Sequence, residues 1–183
     1  MEDQRKADPY TELANKVLGR IAGLGRSEKI KLKRTAGLRA DELKPDDRIL
    51  FYGLFPENIP ADKYLVDCIL FGVQIACEQD DLGTDGCLVQ DLLAAEYDKG
   101  KSKSSMRRIE AFMASDSRDN EVFFRDLDWL LEIVLKKKKA NVFTLTRDLI
   151  KWEYGGRDRW LDAIIKIKHN KIINNDTDSQ EEK

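Results

Sequence analysis

Apolar side chains recur at three- and four-residue steps along most of this chain, and no segment shows the strict alternation typical of a half-buried β-strand. The first clear example runs from Tyr10 to Ile21, where the apolar residues fall on one face of a helix. Asp8 and Pro9 precede it as an N-cap and first-turn pair. The pattern predicts an all-α fold of eight or nine helices.

Turn and capping residues set the expected helix boundaries. The first helix is expected over about 9–24, and Ser27 can cap a second, short helix that ends before Gly37. Further helices are expected from Pro45 to before Pro56, over 62–78, over about 87–98, and from starts near Ser104 or Ser105, Asp119, Asn141 and Arg157. The helix at 62–78 is apolar nearly all round, which indicates that it lies at the centre of a core.

The segment KGKSKSS, residues 99–105, interrupts the helical pattern with Gly, Ser and charge and is the best candidate for a domain junction. We therefore expect an N-terminal helical lobe over 1–100 and a small C-terminal bundle of four helices over 101–173. The last ten residues, 174–183, are polar, and their composition predicts a disordered tail.

Composition excludes several classes of protein. With 183 residues and 42% hydrophobic content the chain can bury a real core. No apolar run approaches the roughly 20 residues that cross a bilayer, and the N-terminus shows no signal peptide, so we expect a cytoplasmic protein. Cys68, Cys77 and Cys87 have spacings that fit neither a disulfide framework nor a zinc site, and we expect them to be small buried hydrophobes.

Residues typical of catalysis are scarce. His169 is the one histidine, and no Cys/His or Ser/His signature accompanies it. The chain has no phosphate-binding P-loop, and its adjacent acids lack the spacing of a calcium loop. We therefore predict a protein that is not an enzyme, with no catalytic residue, no metal site and no cofactor.

Charge is segregated along the chain although the formal net charge is only −2. Residues 20–39 carry seven Lys and Arg against one acid, and residues 99–108 carry five with no acid. Residues 78–98 show the reverse, with seven acids and no Lys or Arg. Clustered positive charge suits a phosphate backbone, although many helical proteins carry basic faces that bind nothing.

The order of these features resembles the small subunit of the type I-E CRISPR effector complex Cascade, the CasB family. The resemblance rests on IKLKRT at 30–35, on S-x-x-R-R-I at 104–109, and on the succession of helices and basic breaks that follows, over roughly residues 10–170. It implies an all-helical fold of two small lobes. It also implies a non-catalytic subunit that helps to hold guide RNA, target strand and displaced strand in the R-loop of an antiviral surveillance complex.

The resemblance implies phosphate contacts from basic residues spread over the chain. They are Lys33, Arg34, Arg107, Arg108, Arg118, Arg157 and Arg159, and the candidate set is completed by Lys31, Lys103, Lys137, Lys138 and Arg147. The implied partners are the backbone and large subunits of Cascade, a second copy of this chain within the complex, guide RNA and target DNA, with no membrane.

Two hypotheses follow. The first is a subunit that binds the nucleic-acid backbone; the second is a helical adaptor whose charged faces meet only proteins. The first predicts that six of the cations lie on a common surface, namely Lys33, Arg34, Arg107, Arg108, Arg157 and Arg159. Separate patches would favour the adaptor.

Overall fold

The protein is all-helical, as predicted. The computed structural model describes residues 8–56, 58–98, 103–117, 120–136 and 138–178, and these form nine α-helices and no named strand. The helices are α1 (Pro9–Arg20), α2 (Arg26–Lys33), α3 (Pro45–Tyr52), α4 (Lys63–Gln79), α5 (Val89–Asp98), α6 (Lys103–Ala114), α7 (Asn120–Leu135), α8 (Val142–Ile150) and α9 (Gly156–Asp178).

Local capping explains several helix starts. Asp8 caps α1 through a bond from the Thr11 amide at 3.1 Å, and Asn141 caps α8 through the Thr144 amide at 3.0 Å, both at predicted sites. Ser27 is not the cap of α2. Gly25 holds that position, and its amide donates to the Glu28 carboxylate at 2.7 Å.

Helix α4 occupies the centre of the fold because it is apolar nearly all round, as predicted. Every residue from Leu65 to Cys77 is buried, and α1, α2 and α8 pack against the helix. The rings of Tyr64 and Phe71 lie 6.0 and 5.7 Å from that of Phe124, which brings α7 to another face of α4.

Packing crosses the expected boundary near residue 100. Helix α8 lies against α1 and α4, and α5 lies against α9 and α7. In the described part of the chain, buried apolar side chains from Ala14 to Ile164 form a single cluster. The four predicted C-terminal helices are present, but they share their core with the N-terminal half.

The loop before α5 is tied to the segment before α8. The Cys87 amide donates to the Lys139 carbonyl at 2.9 Å, and the Asn141 amide donates to the Cys87 carbonyl at 3.0 Å. A Cβ on Gly86 would lie 2.7 Å from the Ala140 carbonyl carbon, so only glycine allows this approach. Because Cys87 belongs to this surface bridge, α5 begins at Val89 and not at residue 87.

The expectation of three buried cysteines was wrong for one of them. Cys68 and Cys77 are buried, and burial raises the pKa of the Cys77 thiol to about 11 and that of Cys68 well above its usual value. Cys87 is exposed.

Helix α9 continues to Asp178, into the tail that the sequence predicts to be disordered, and 179–183 lie outside the described residues. Among the described helices, none is long and apolar enough to cross a membrane.

Candidate nucleic-acid interface

The C-terminal end of α2 carries the first group of predicted contact residues. Lys31, Lys33 and Arg34 are exposed, and in the described part of the chain their side chains make no hydrogen bond or ion pair. One turn earlier, Lys29 pairs with Asp80 at 3.2 Å. Leu32 is fully buried and anchors this short helix on the core. The predicted cations therefore project from a helix that is held by its apolar face.

Two buried polar side chains of α4 fix the turn that follows these cations. The Gln74 amide donates to the Thr35 carbonyl at 2.7 Å and to the Leu38 carbonyl at 2.9 Å. The Asp67 carboxylate accepts a bond from the Ala40 amide at 3.0 Å. Since buried backbone groups need hydrogen-bond partners, these bonds satisfy the backbone groups of a segment that has no regular secondary structure. Sequence inspection missed both residues, although a polar side chain inside an apolar helix was the available signal.

Helix α6 carries the second group. Arg107 and Arg108 are exposed, and the Arg108 guanidinium carbon lies over the Trp129 ring, 4.2 Å from its centroid. Trp129, on α7, is half-buried and packs against the edge of the core. Lys103 begins α6, but the position of its side chain lies outside the described residues.

The C-terminal arginines of the predicted set are engaged by acids of the same chain. Asp148 is 1% exposed, and its Oδ1 accepts from Arg159 at 2.6 Å and from Arg147 at 3.1 Å. Its Oδ2 accepts from the Trp160 indole at 3.0 Å. Arg157 lies 3.7 Å from Glu153. Arg159 and Trp160 thus join α9 to α8 through Asp148, and local acids offset the charge of all three arginines.

The lysine run at the end of α7 meets the acidic segment 78–98. Lys136 pairs with Glu96 at 3.2 Å, and Lys139 pairs with Asp81 at 3.0 Å. The Gly83 amide, together with Lys139, lowers the pKa of the Asp81 carboxyl. Lys138 is exposed and has no acid partner among the described residues. The acidic segment is thus partly neutralised within the chain, which its sequence alone did not reveal.

Two predicted contact residues, Arg118 and Lys137, lie outside the described residues. The described members of the proposed common surface occupy three helices with different neighbours: α2 packs on α3 and α4, α6 on α5 and α7, and α9 on α5 and α8. One ion pair links the segment after α2 to the start of α7, between Arg39 and Glu121 at 3.8 Å. The common surface stays a prediction.

In the described part of the chain, no cluster of three or more His, Cys, Asp or Glu side chains is placed to hold a metal ion. His169, on α9, is exposed.

Comparison with family models, with curated proteins and with solved structures found no match to this chain.

Proposed function

We propose that this protein is a non-catalytic subunit of an RNA-guided surveillance complex of the Cascade type, in which it binds nucleic-acid backbone and stabilises the R-loop. The observation that carries the proposal is the contrast between two kinds of cation. Lys31, Lys33, Arg34 and Arg107 are exposed and unpaired in the described structure, whereas Arg147, Arg157 and Arg159 have acid partners. The unpaired side chains are the ones available to a phosphate.

A subunit in this role needs only a few phosphate contacts, and a small number of unpaired cations can supply them. In RNA-guided complexes base pairing supplies the sequence specificity, and exchange of one duplex for another is close to energetic balance. A subunit that contributes a few phosphate contacts can therefore shift the equilibrium toward the open R-loop. Contacts of Arg and Lys to phosphate carry no base information, so no reading motif is required.

The proposal is tested first by oligonucleotide binding. Changing Arg107 and Arg108 together to Ala should weaken the binding of a labelled mixed-sequence oligonucleotide and make the salt dependence less steep. For a single strand, log K falls by about 0.7 per neutralised phosphate for each tenfold rise in salt, so the slope should decrease by roughly one unit or more. The loss should be similar for all sequences. Fluorescence anisotropy over a range of salt concentrations gives both quantities.

A matched variant removes the same charge elsewhere. Lys136 and Lys139 are paired with acids of the acidic segment, so the double change of both to Ala should alter the salt slope less than the arginine pair does. Equal effects of the two double variants would mean that only overall charge matters. Unaltered binding by a folded R107A/R108A protein would overturn the role of α6.

Assembly is tested separately. A tagged chain expressed with the products of its neighbouring genes should co-purify with them and with bound RNA. If it co-purifies with proteins while R107A/R108A binds target nucleic acid as the unchanged chain does, the adaptor becomes the better description.

One observation favours that second candidate. Helices α5, α6 and α9 border an open groove of about 310 Å³ that is lined mainly by apolar side chains, among them Tyr97, Met113 and Ile164. Ile165 at its edge is 58% exposed. Such a groove suits the apolar face of a helix from a partner protein.

A further inference from the structure

A second groove lies between α6 and α7, with a volume of about 320 Å³. Its lining consists of Arg108, Ala111, Arg125, Asp126 and Trp129. The groove is therefore built from one indole ring, two guanidinium groups and a single carboxylate. Arg107, next to Arg108, adds another exposed cation without an acid partner in the described structure.

Trp129 differs from the other two tryptophans of the chain. Trp152 and Trp160 are 1% and 0% exposed and pack edge to face in the core with ring centroids 5.2 Å apart. Trp129 is half-buried, and its ring carries the Arg108 guanidinium at 4.2 Å. Of the three tryptophans, Trp129 is therefore the one whose indole a molecule in solution can reach, at the edge of the groove.

The contact with the indole holds a planar cation at the surface. An exposed arginine side chain is ordinarily free to adopt many rotamers, and packing over an aromatic face reduces that freedom. Arg108 remains exposed, so the face of the guanidinium that is turned away from the ring is open to solvent. A flat group that stacks there would form a third layer on the indole and the guanidinium.

Arg125 supplies a second cation beside this layer. It lies one helical turn before Trp129, and its side chain is 68% exposed. Its contact with the neighbouring Asp126 is long, at 3.4 Å, which leaves most of its donors free for another acceptor. The groove therefore offers a stacking surface with an anion-binding group next to it.

We propose that the Arg108 and Trp129 pair is a stacking site for one unpaired base of a single-stranded nucleic acid, and that Arg125 binds the adjoining phosphate. This inference rests on the proposed function and adds a base contact to its backbone contacts. Bases within a duplex already stack on their neighbours, so only a single strand presents a free face. Because every base has a π-face, the site tolerates any sequence.

The test compares two single strands of equal length and charge, oligothymidylate and the same backbone with abasic sites. The full-length protein should bind oligothymidylate roughly tenfold more tightly than the abasic strand, since stacking on an aromatic platform contributes an effect of that order. Only the base-containing strand should change the fluorescence of Trp129. Trp129→Phe removes this emitter and assigns the signal, because the buried tryptophans remain in place.

Arg108→Lys is the deciding variant, since it keeps the positive charge and loses the planar group. It should bind the abasic strand as the unchanged protein does and lose most of the preference for bases. Arg107→Lys is the matched control, because Arg107 is also exposed, whereas the guanidinium on the indole is that of Arg108; this variant should keep the preference. Arg125→Ala should weaken both strands alike.

The outcomes separate the two proposals. If the unchanged protein binds both strands with the same affinity, the stacking site is wrong and the backbone-binding function stands. A full preference for bases in R108K would also overturn the site. If neither strand binds at any salt concentration tested, the proposed function itself fails for the isolated chain, and the stacking site fails with it.

Discussion

Single residues decide how the basic side chains of this protein are used. Arg108 and Arg159 look alike in the sequence, yet one lies on an indole at the surface and the other lies on a buried carboxylate. Asp148 makes that difference, because a carboxylate at 1% exposure needs charged or polar donors around it. The chain provides three such donors, from Arg147, Arg159 and Trp160.

Asp148→Ala should therefore destabilise the protein. It removes the acceptor of two guanidinium groups and one buried indole N–H, and we expect a loss of about 1.5–3 kcal/mol, the usual range for hydrogen bonds to charged groups. The loss stays moderate because both arginines are partly exposed and can be hydrated. Urea unfolding measures it. Asp162→Ala, at an exposed position of α9, serves as the control and should change stability by less than about 0.5 kcal/mol.

Gly72 is a second residue with a specific role, because α4 and α8 approach each other closely there. A Cβ at this position would collide with the Thr146 Oγ1 atom, and the Thr146 hydroxyl is buried with no hydrogen-bond partner among the described residues. Gly72→Ala should cost about 1–3 kcal/mol through overpacking. Gly19→Ala should instead stabilise the protein by up to about 1 kcal/mol, because no described atom outside its own stretch of α1 lies within 4 Å of the added Cβ.

A double variant checks the cause. In a Thr146→Ala background the colliding atom is gone, so Gly72→Ala should cost clearly less than it does alone. An equal cost in both backgrounds would mean that the collision is not the reason.

At the scale of elements, the sequence predicted the described helices well, but it did not predict which surface side chains of different helices contact each other. Caps such as Asp8 and Asn141 act within one helical turn, so they can be read locally. The partner of Trp129 could not be found in this way, because Arg108 sits on another helix. The spacing of Arg125 and Trp129 by four residues was the one local signal for the groove.

Helix α7 also brings acids together. Burial raises the pKa of the Asp128 carboxyl, with smaller contributions from Glu132 and from Glu78 on α4. An acid with a raised pKa in the folded state binds more protons there than in the unfolded state. The stability of the protein should therefore fall as the pH rises through this titration.

Asp128→Asn should remove this effect, because the amide resembles the protonated acid. The variant should be more stable than the unchanged protein at pH values above the raised pKa. Its advantage should shrink as the pH falls and vanish below the ordinary value of 3.8. Denaturant unfolding across this pH range measures the difference, and an advantage that does not depend on pH would contradict the prediction. Asp126→Asn, a nearby acid on the same helix, is the matched control.

At the scale of the whole molecule, the two expected lobes remain a prediction, and the contacts give it a sharp test. The junction was proposed from the composition of 99–105, and composition does not reveal that α8 would lie on α1 and α4. Charge patterning was similarly incomplete. The basic and acidic blocks were visible in the sequence, but the pairing of the acidic block with Lys29, Lys136 and Lys139 depends on the fold.

Chains cut at the junction distinguish the two descriptions. Fragments 1–98 and 103–183, expressed together, should co-purify and show the cooperative unfolding of the intact protein, because one apolar cluster includes side chains of both. Each fragment alone should unfold without a sharp transition, since the apolar surface that it buries against the other fragment is then exposed to water. Two fragments that fold separately and do not bind each other would support independent lobes.

The position of α4 also has a consequence for synthesis of the protein. At the ribosome, the face of α4 near Gly72 has no cover until α8 has been made, some seventy residues later along the chain. At a synthesis rate of about 5–20 residues per second, this apolar face of α4 stays exposed for on the order of several seconds. We expect the nascent chain to need a chaperone during that interval, and to acquire its native fold only after α8 has been made.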